Sequence, residues 1–309
     1  MNITYSIIAP IYNESESLSE LYQRVASVMD GNGEPWELVL VDDGSTDGST
    51  DMIVRLAQKD PRVRPVIFAR NFGHQLAITA GWDYARGDAI VIIDADLQDP
   101  PEIILELAKK WKEGYEVVYA VRAEREGETW FKKLTSAFFY RLIYLITDVK
   151  IPLDTGDFRL MDRKVVDVLK QMPERHRFPR GMSAWVGFRQ IGVDYKRAAR
   201  YGGVTKYPFK KMVRLALNAI TSFSYFPLQV ATYFGFTSAG VAILAIPVVV
   251  YLRLAGIRQL TGQATTLIAV LFLGGVQLIS LGILGEYIGR LYDEAKGRPL
   301  YIVRTKPQD

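Results

Sequence analysis

Ala89-Ile-Val-Ile-Ile-Asp94-Ala-Asp96-Leu-Gln98-Asp99-Pro-Pro101 decides how the 309-residue chain reads. An apolar, mostly β-branched run stops abruptly at carboxylates in alternate positions, as a buried strand does where it leaves a sheet. Pro100 and Pro101 then announce a helix. Two carboxylates at such an edge form a compact pair of hard oxygen ligands, suited to Mg²⁺ or Mn²⁺ with a diphosphate alongside. An Asp-x-Asp pair is weak evidence by itself, because short acidic loops are common. Its position after a fourth strand strengthens it.

The same handover from apolar run to polar loop recurs upstream. Strands are expected at 5–11, 37–42, 63–68, 89–94 and 116–122, with amphipathic helices at 16–29, 48–59, 74–86 and 101–112 between them. This alternation predicts a parallel sheet covered on both faces within residues 1–200. Ligands of such sheets sit beyond the carboxyl ends of the strands. Pro10-Ile-Tyr12-Asn13-Glu14 follows the first strand and Asp42-Asp43-Gly-Ser45-Thr-Asp47 the second. Asp42 and Asp43 read either as turn residues or as acceptors for a nucleobase or ribose, and the residues alone leave both readings open.

Downstream the composition changes. The chain is 49% apolar and 23% charged, yet Leu215–Leu252 and Gln259–Gly285 contain no Asp, Glu, Lys or Arg. Each run exceeds the ~20 helical residues that cross a bilayer core, so spans are expected at about 227–252 and 264–286. Lys206, Lys210, Lys211 and Arg214 precede the first, and Arg290, Lys296, Arg298, Arg304 and Lys306 follow the second. Only Arg253 and Arg258 lie between them. This bias predicts a multi-pass plasma-membrane protein whose large N-terminal domain and tail are cytoplasmic. Met1-Asn-Ile-Thr-Tyr5 enters a strand without a basic region or cleavage site, so anchoring is expected from the C-terminal spans.

The net charge of +4 and pI near 9.0 come without a dense basic tract, which argues against a nucleic-acid partner. With no cysteine and two histidines, disulfides, thiolate sites and histidine clusters are excluded. The spans carry no charge that would mark a channel or flippase pathway. Gly274, Gly275, Gly282, Gly285 and Gly289 offer small surfaces for close helix approach and predict a homo-oligomer, a tetramer among the candidates. Residues 129–147, rich in aromatics beside Lys132, Lys133 and Arg141, read equally well as a core helix or an interfacial one.

Taken in order, Pro-x-Tyr-Asn-Glu at 10–14, Asp-Asp-Gly-Ser-Thr-Asp at 42–47 and Asp-Ala-Asp-Leu-Gln-Asp-Pro-Pro at 94–101 resemble the inverting GT-A glycosyltransferases of the dolichyl-phosphate mannose synthase type. Arg70-Asn-Phe-Gly73, Ala80-Gly81, Thr155-Gly-Asp157-Phe-Arg159 and Tyr201-Gly-Gly-Val-Thr-Lys206-Tyr207 extend the likeness. Within that group, the spans and the segments 285–290 and 298–301 resemble bacterial bactoprenol glucosyltransferases. The resemblance implies an α/β, Rossmann-like GT-A domain over 1–200. A juxtamembrane interfacial segment at 201–226, a two-helix transmembrane hairpin at 227–289 and a cytoplasmic tail at 290–309 would follow.

It further implies that Pro10, Tyr12, Glu14, Asp43 and Ser45, with Asp94 and Ala95, line a nucleotide pocket. Asp94, Asp96 and Gln98 would hold the metal and diphosphate. Asp157 takes the place of the catalytic acidic residue beside Asp96, and Arg122, Lys133 and Ser136 that of the acceptor-phosphate site. Arg200 and Lys206 would reach the reacting phosphates, while His74, standing where many relatives carry lysine, is given no role.

The implied acceptor is a polyisoprenyl phosphate and the favoured donor UDP-glucose. UDP-aminoarabinose derivatives, UDP-N-acetylglucosamine and GDP-mannose are the alternatives, since sugar pockets differ by a few hydrogen bonds. A phosphate monoester with a second pKa of ~6 hardly needs a base, so Asp157 is expected to orient the nucleophile or balance the arginines. A single displacement would invert the anomeric centre. A processive polysaccharide synthase would carry Gln-x-x-Arg-Trp and more spans, and neither is present. Asp94, Asp96 and Asp157 count against a non-catalytic nucleotide-binding protein.

Overall fold

A computed structural model of the chain describes residues 3–122, 155–196, 224–255 and 263–307. These fall into two units.

The first unit is built on one eight-stranded sheet. Its strands are β1 (Tyr5–Ile11), β2 (Trp36–Asp42), β3 (Val63–Phe68), β4 (Ala89–Ile92), β5 (Val117–Arg122), β6 (Thr155–Asp162), β7 (Gln190–Tyr195) and β8 (Val303–Thr305), in the order β7-β5-β6-β4-β1-β2-β3-β8. The helices are α1 (Leu18–Asn32), α2 (Ser49–Lys59), α3 (His74–Tyr84), α4 (Ile103–Lys112), α5 (Arg163–Gln171) and α6 (Pro179–Trp185).

Burial explains why the central strands read so clearly. All seven residues of β1 and of β2 are buried, so neither face needs polar residues and the runs are continuously apolar. One face of β1 (Tyr5, Ile7, Ala9, Ile11) packs with Leu18, Leu21 and Val25 of α1 and Ile104 and Leu107 of α4. Against the other face α3 comes so near that a Cβ on Gly81 would meet Ile8 Cγ2 at 2.2 Å.

The expectation of an all-parallel sheet is corrected. β4, β1, β2 and β3 are mutually parallel, but β6 runs antiparallel between β4 and β5, and β8 antiparallel to β3. Strand direction followed the βαβ alternation upstream; between β5 and β6 the sequence offers no comparable pattern. β6 matters most for the site, because the register Ile92↔Arg159 brings Asp157 to the edge where the chain leaving β4 reaches Asp94. Residues 303–305, read from sequence as part of a polar tail, supply the edge strand β8.

The second unit holds α7 (Phe226–Leu254) and α8 (Gln263–Ala295). Within Phe226–Tyr251 and Ile268–Ala295 the most apolar 18-residue stretches reach mean hydropathies of 2.0 and 2.2 and are unburied, so both helices are long and apolar enough to cross a membrane. The Tyr287 hydroxyl donates to the Ser224 carbonyl at 2.7 Å. α8 continues past 286, where the apolar run stops, because Glu286 and Arg290 pair one turn apart on the helix surface. The aromatic stretch 129–147, residues 205–223 of the segment 205–226, Lys133, Ser136, Arg200 and Lys206 lie outside the described residues.

Two glycines with nearly the same φ separate strain from crowding. Gly33 (φ +75°) has nothing within 4 Å of an added Cβ, whereas at Gly44 (φ +74°) that atom would stand 2.6 Å from the backbone of Arg70 and Asn71. We expect Gly33→Ala to cost about 1 kcal/mol of left-handed strain and Gly44→Ala at least about 3 kcal/mol. Thermal unfolding in detergent measures the difference; equal shifts would mean that the 44 and 70–71 segments do not touch.

Candidate active site

In the strand order, β1 has β2 on one side and β4 on the other, the switch point at which open α/β sheets leave a crevice. The loops after β1 and β4 flank it.

The loops after β1 and β2 are laced together. Asn13, whose φ of 54° asparagine tolerates, donates its N–H to Ser45 Oγ at 3.0 Å and accepts the Thr46 N–H at 2.8 Å. Glu14 N–H donates to Ser49 Oγ, and Ser15 N–H to Asp47. Partial burial would raise the Asp47 pKa, but hydrogen bonds from Ser49 and Ser15 outweigh it and bring it to about 2. Asp42 is the turn residue its sequence allows, accepting from Ser45 N–H and the Thr50 hydroxyl. The buried Asp43 carboxylate accepts from Phe72 N–H at 2.6 Å and Gly73 N–H at 3.0 Å, so it ties the loop after β2 to the loop after β3. Pro10 ends within β1, while Tyr12 stays 43% exposed beyond it.

After β4 the chain makes a tight acidic turn. Leu97 is buried with a left-handed φ of 59°, a conformation costing about 1 kcal/mol, and Gln98 N–H thereby reaches Asp96 Oδ1 at 3.1 Å. Ala95 is buried behind the pair. Burial pushes the Asp94 carboxyl up to about 6, against the charge of His74 that lowers it.

Asp157, buried at the start of β6, is the centre of the charge cluster. Arg180, near the start of α6, forks onto both its oxygens at 2.7 and 3.0 Å, the geometry in which guanidinium and carboxylate match best. His74, the first residue of α3, donates Nε2–H to Asp157 Oδ2 at 3.2 Å and lies 3.6 Å from Asp94 Oδ1. Burial favours neutral imidazole, but Asp157 and Asp94 outweigh it and raise the His74 pKa to about 9. Burial would likewise neutralise Asp157; Arg180 and His74 instead hold its pKa well below the usual carboxylate range. Arg159, lowered to about 10 by burial, braces the turn through Asp157 O, Gly156 O and Ser183 Oγ.

Arg122, at the end of β5, reaches the same edge. Its Nε donates to the Tyr195 hydroxyl, which donates to the buried Asp99. A Cβ on Gly156 would meet Arg122 Nη2 at 2.9 Å, so glycine leaves room for the guanidinium there.

The structure therefore brings Asp94, Asp157 and Arg122 to one edge of the sheet, with Asp96 and Gln98 on the adjoining turn. It adds His74, Arg180, Arg159, Tyr195 and Asp99, none of them assigned from sequence. His74 had a local signal, the Gly73-His74 step into a helix; Arg180 lay behind Pro179 with nothing to link it to Asp157. Among the described residues, no group of three His, Asp or Glu side chains forms a complete metal site. The pair Asp94 and Asp96 nevertheless fits a divalent ion, since Asp94 Oδ1 is buried without a hydrogen-bond partner and such ions take one or two carboxylates plus phosphate oxygens.

This geometry predicts different costs for two isosteric changes. Asp157→Asn strands the Arg180 fork and the buried Arg159, costing about 3 kcal/mol. Asp96→Asn lies at a partly exposed turn, keeps a side-chain oxygen for the Gln98 N–H, and costs under ~1 kcal/mol. Melting temperatures of the full chain in detergent check this, and identical values would remove Asp157 from its central place.

Comparison with known proteins agrees with this architecture. Residues 6–169, from β1 into α5, match glycosyl transferase family 2. An uncharacterized glycosyltransferase of Bacillus subtilis is 54% identical, covering 98% of this chain and 94% of its own length. One from Synechocystis is 47% identical over 98% and 95%. A bactoprenol glucosyl transferase of Shigella phage SfV is 43% identical over 98% and 99%. The mixed sheet with its acidic turn at the switch point is the GT-A type of α/β domain, and the chain belongs to glycosyl transferase family 2 as a glycosyltransferase.

Proposed function

We propose that the enzyme transfers glucose from UDP-glucose to a polyisoprenyl phosphate of the bactoprenol class. The observation that carries this reading is the near-full-length likeness to the phage bactoprenol glucosyl transferase, apolar C-terminal helices included. An acceptor-phosphate oxygen attacks the anomeric carbon of glucose. The bond from that carbon to the UDP oxygen breaks, its electron pair leaves with the diphosphate, and the anomeric centre inverts from α to β.

The residues divide this work by charge. Pro10, Tyr12, Glu14, Asp43, Ser45 and Ala95 shape the nucleotide pocket, with the exposed Tyr12 ring presenting a face on which the base stacks. Asp94 and Asp96, with Gln98, would hold Mg²⁺ or Mn²⁺, which when bound neutralises charge on the diphosphate. Asp157, held ionised between Arg180 and His74, is too weak a base for proton removal near neutrality. It fixes the position of those cations, which suits an acceptor already ionised. Arg122 receives the acceptor phosphate with Lys133 and Ser136, while Arg200 and Lys206 reach the reacting phosphates.

The path of the chain supports a membrane hairpin. The chain runs from the sheet domain into α7 and re-enters the sheet as β8 after α8. Residues 296–302 between α8 and β8 reach at most about 25 Å when extended, short of a ~30 Å hydrocarbon core. The domain and tail therefore share one side, the cytoplasmic one by the positive charges around them. The α8 glycines suit a homo-oligomer.

Two experiments test the proposal. With undecaprenyl phosphate in detergent, we expect β-linked glucosyl phospholipid from UDP-glucose, loss of turnover on chelation, and a fall of ~100-fold or more in Asp96→Asn. Transfer only from another nucleotide-sugar would replace the donor, and undiminished Asp96→Asn activity would overturn the metal assignment. For topology, a cysteine placed at Thr261 in this cysteine-free chain should react with an impermeant maleimide from outside intact cells; labelling from the cytoplasmic side alone would reverse the hairpin.

A further inference from the structure

Asp43 is buried, and the donors that satisfy it are the N–H groups of Phe72 and Gly73. The position of the loop after β2 thus depends on residues 69–73, and the contact is close: a Cβ at Gly44 would collide with the Arg70 and Asn71 backbone. Gly73 itself sits at φ +106°, a conformation that only glycine adopts freely.

Residues 69–73 are held in turn by the C-terminal strand. β3 would be an edge strand without β8, which pairs Phe68↔Val303 and Ile67↔Thr305. At the step where β3 becomes loop, Ala69 N–H donates to Ile302 O at 2.9 Å. Tyr301 stacks on Phe68 with centroids 5.0 Å apart and planes 18° from parallel. Phe68 meets Phe72 edge-on at 5.6 Å, and the Arg70 guanidinium covers the Phe72 ring at 4.3 Å. The Tyr301 hydroxyl donates to Asp83 Oδ2 on α3 at 2.7 Å, the helix that begins with His74. A continuous series of contacts therefore runs from Tyr301 through Phe68 and Phe72 to Asp43.

We propose that Tyr301, on the segment that follows the second apolar helix, is a positioning residue for the donor nucleotide. It acts by holding the 69–73 loop against Asp43. This rests on the reading that the 42–45 loop belongs to the nucleotide pocket. On this account the tail does more than close the sheet edge. The donor pocket is complete only when the chain beyond α8 is docked on β3.

Three readouts on the full-length enzyme in detergent test it. Tyr301→Ala should raise KM for UDP-glucose and weaken UDP binding by calorimetry about tenfold, the scale of an aromatic pair plus a hydrogen bond. KM for undecaprenyl phosphate should be unchanged, and kcat should stay within about threefold. Amides of 69–76 should exchange faster with deuterium. Tyr301→Phe keeps the ring stack, loses only the bond to Asp83, and should restore most of the affinity; should the alanine variant fail to fold, Tyr301→Leu, apolar but without a ring to stack on Phe68, takes its place in the same three readouts. Equal rises in both KM values, or a fall in kcat with UDP binding intact, would overturn the proposal and leave Tyr301 a general stabiliser. Asp43→Ala separates the two readings. If it weakens UDP binding while both Tyr301 variants do not, the positioning role fails alone; if neither residue affects UDP binding, the assignment of the pocket fails as well.

Discussion

Asp157 is a carboxylate buried near the start of β6, where an isolated negative charge would cost several kcal/mol, and it persists because Arg180 forks onto both oxygens and His74 closes the third side. Much of the site follows from meeting that requirement. β6 must run antiparallel to β4 so that Asp157 arrives beside Asp94, α6 must start where Arg180 can turn inward, and α3 must begin with His74. The cations gathered for Asp157 stand beside the acidic turn at 94–99, which in the proposed function takes the donor's diphosphate. Electrostatic groups fixed before the reaction cost no reorganisation during it.

The loops around this cluster are ordered largely by side chains bonding to backbone. Asn13, Asp42, Asp43 and Asp47 each accept N–H groups that the departing strands leave unpaired. Polar loops can therefore lie over a buried sheet without unsatisfied amides. The same bonds reduce the loop freedom that a nucleotide would otherwise have to remove on binding.

A second constraint comes from the two apolar helices. Their charge-free stretches, Phe226–Tyr251 and 268–285, are unburied and suit a nonpolar surrounding, which a lipid-borne acceptor would share. Because the segment after α8 pairs with β3 as β8, the two apolar helices fall in the chain between strands of one and the same sheet.

Sequence and tertiary structure contributed different things. β1 and β3 were legible to the residue, and β2 within one, because strands buried on both faces must be apolar throughout and must stop where polar loops begin. The apolar helices were legible for the same reason, although α8 outran its expected end because helical ion pairing continues where hydrophobicity stops. That the acidic turn at 94–99 and the loops at 10–14 and 42–47 follow the carboxyl ends of strands was legible as well, since each apolar run stops at a polar cluster. No local pattern could reveal that β6 runs antiparallel, that Arg180 and His74 converge on Asp157, or that 303–305 completes the sheet. Those facts depend on pairing between segments far apart in the chain, and a single charged residue carries no mark of its partner. The sequence by itself determined which segments are buried and which loops carry charge; the tertiary structure decided which charges meet, because strand register sets distance and burial sets the strength of each pairing.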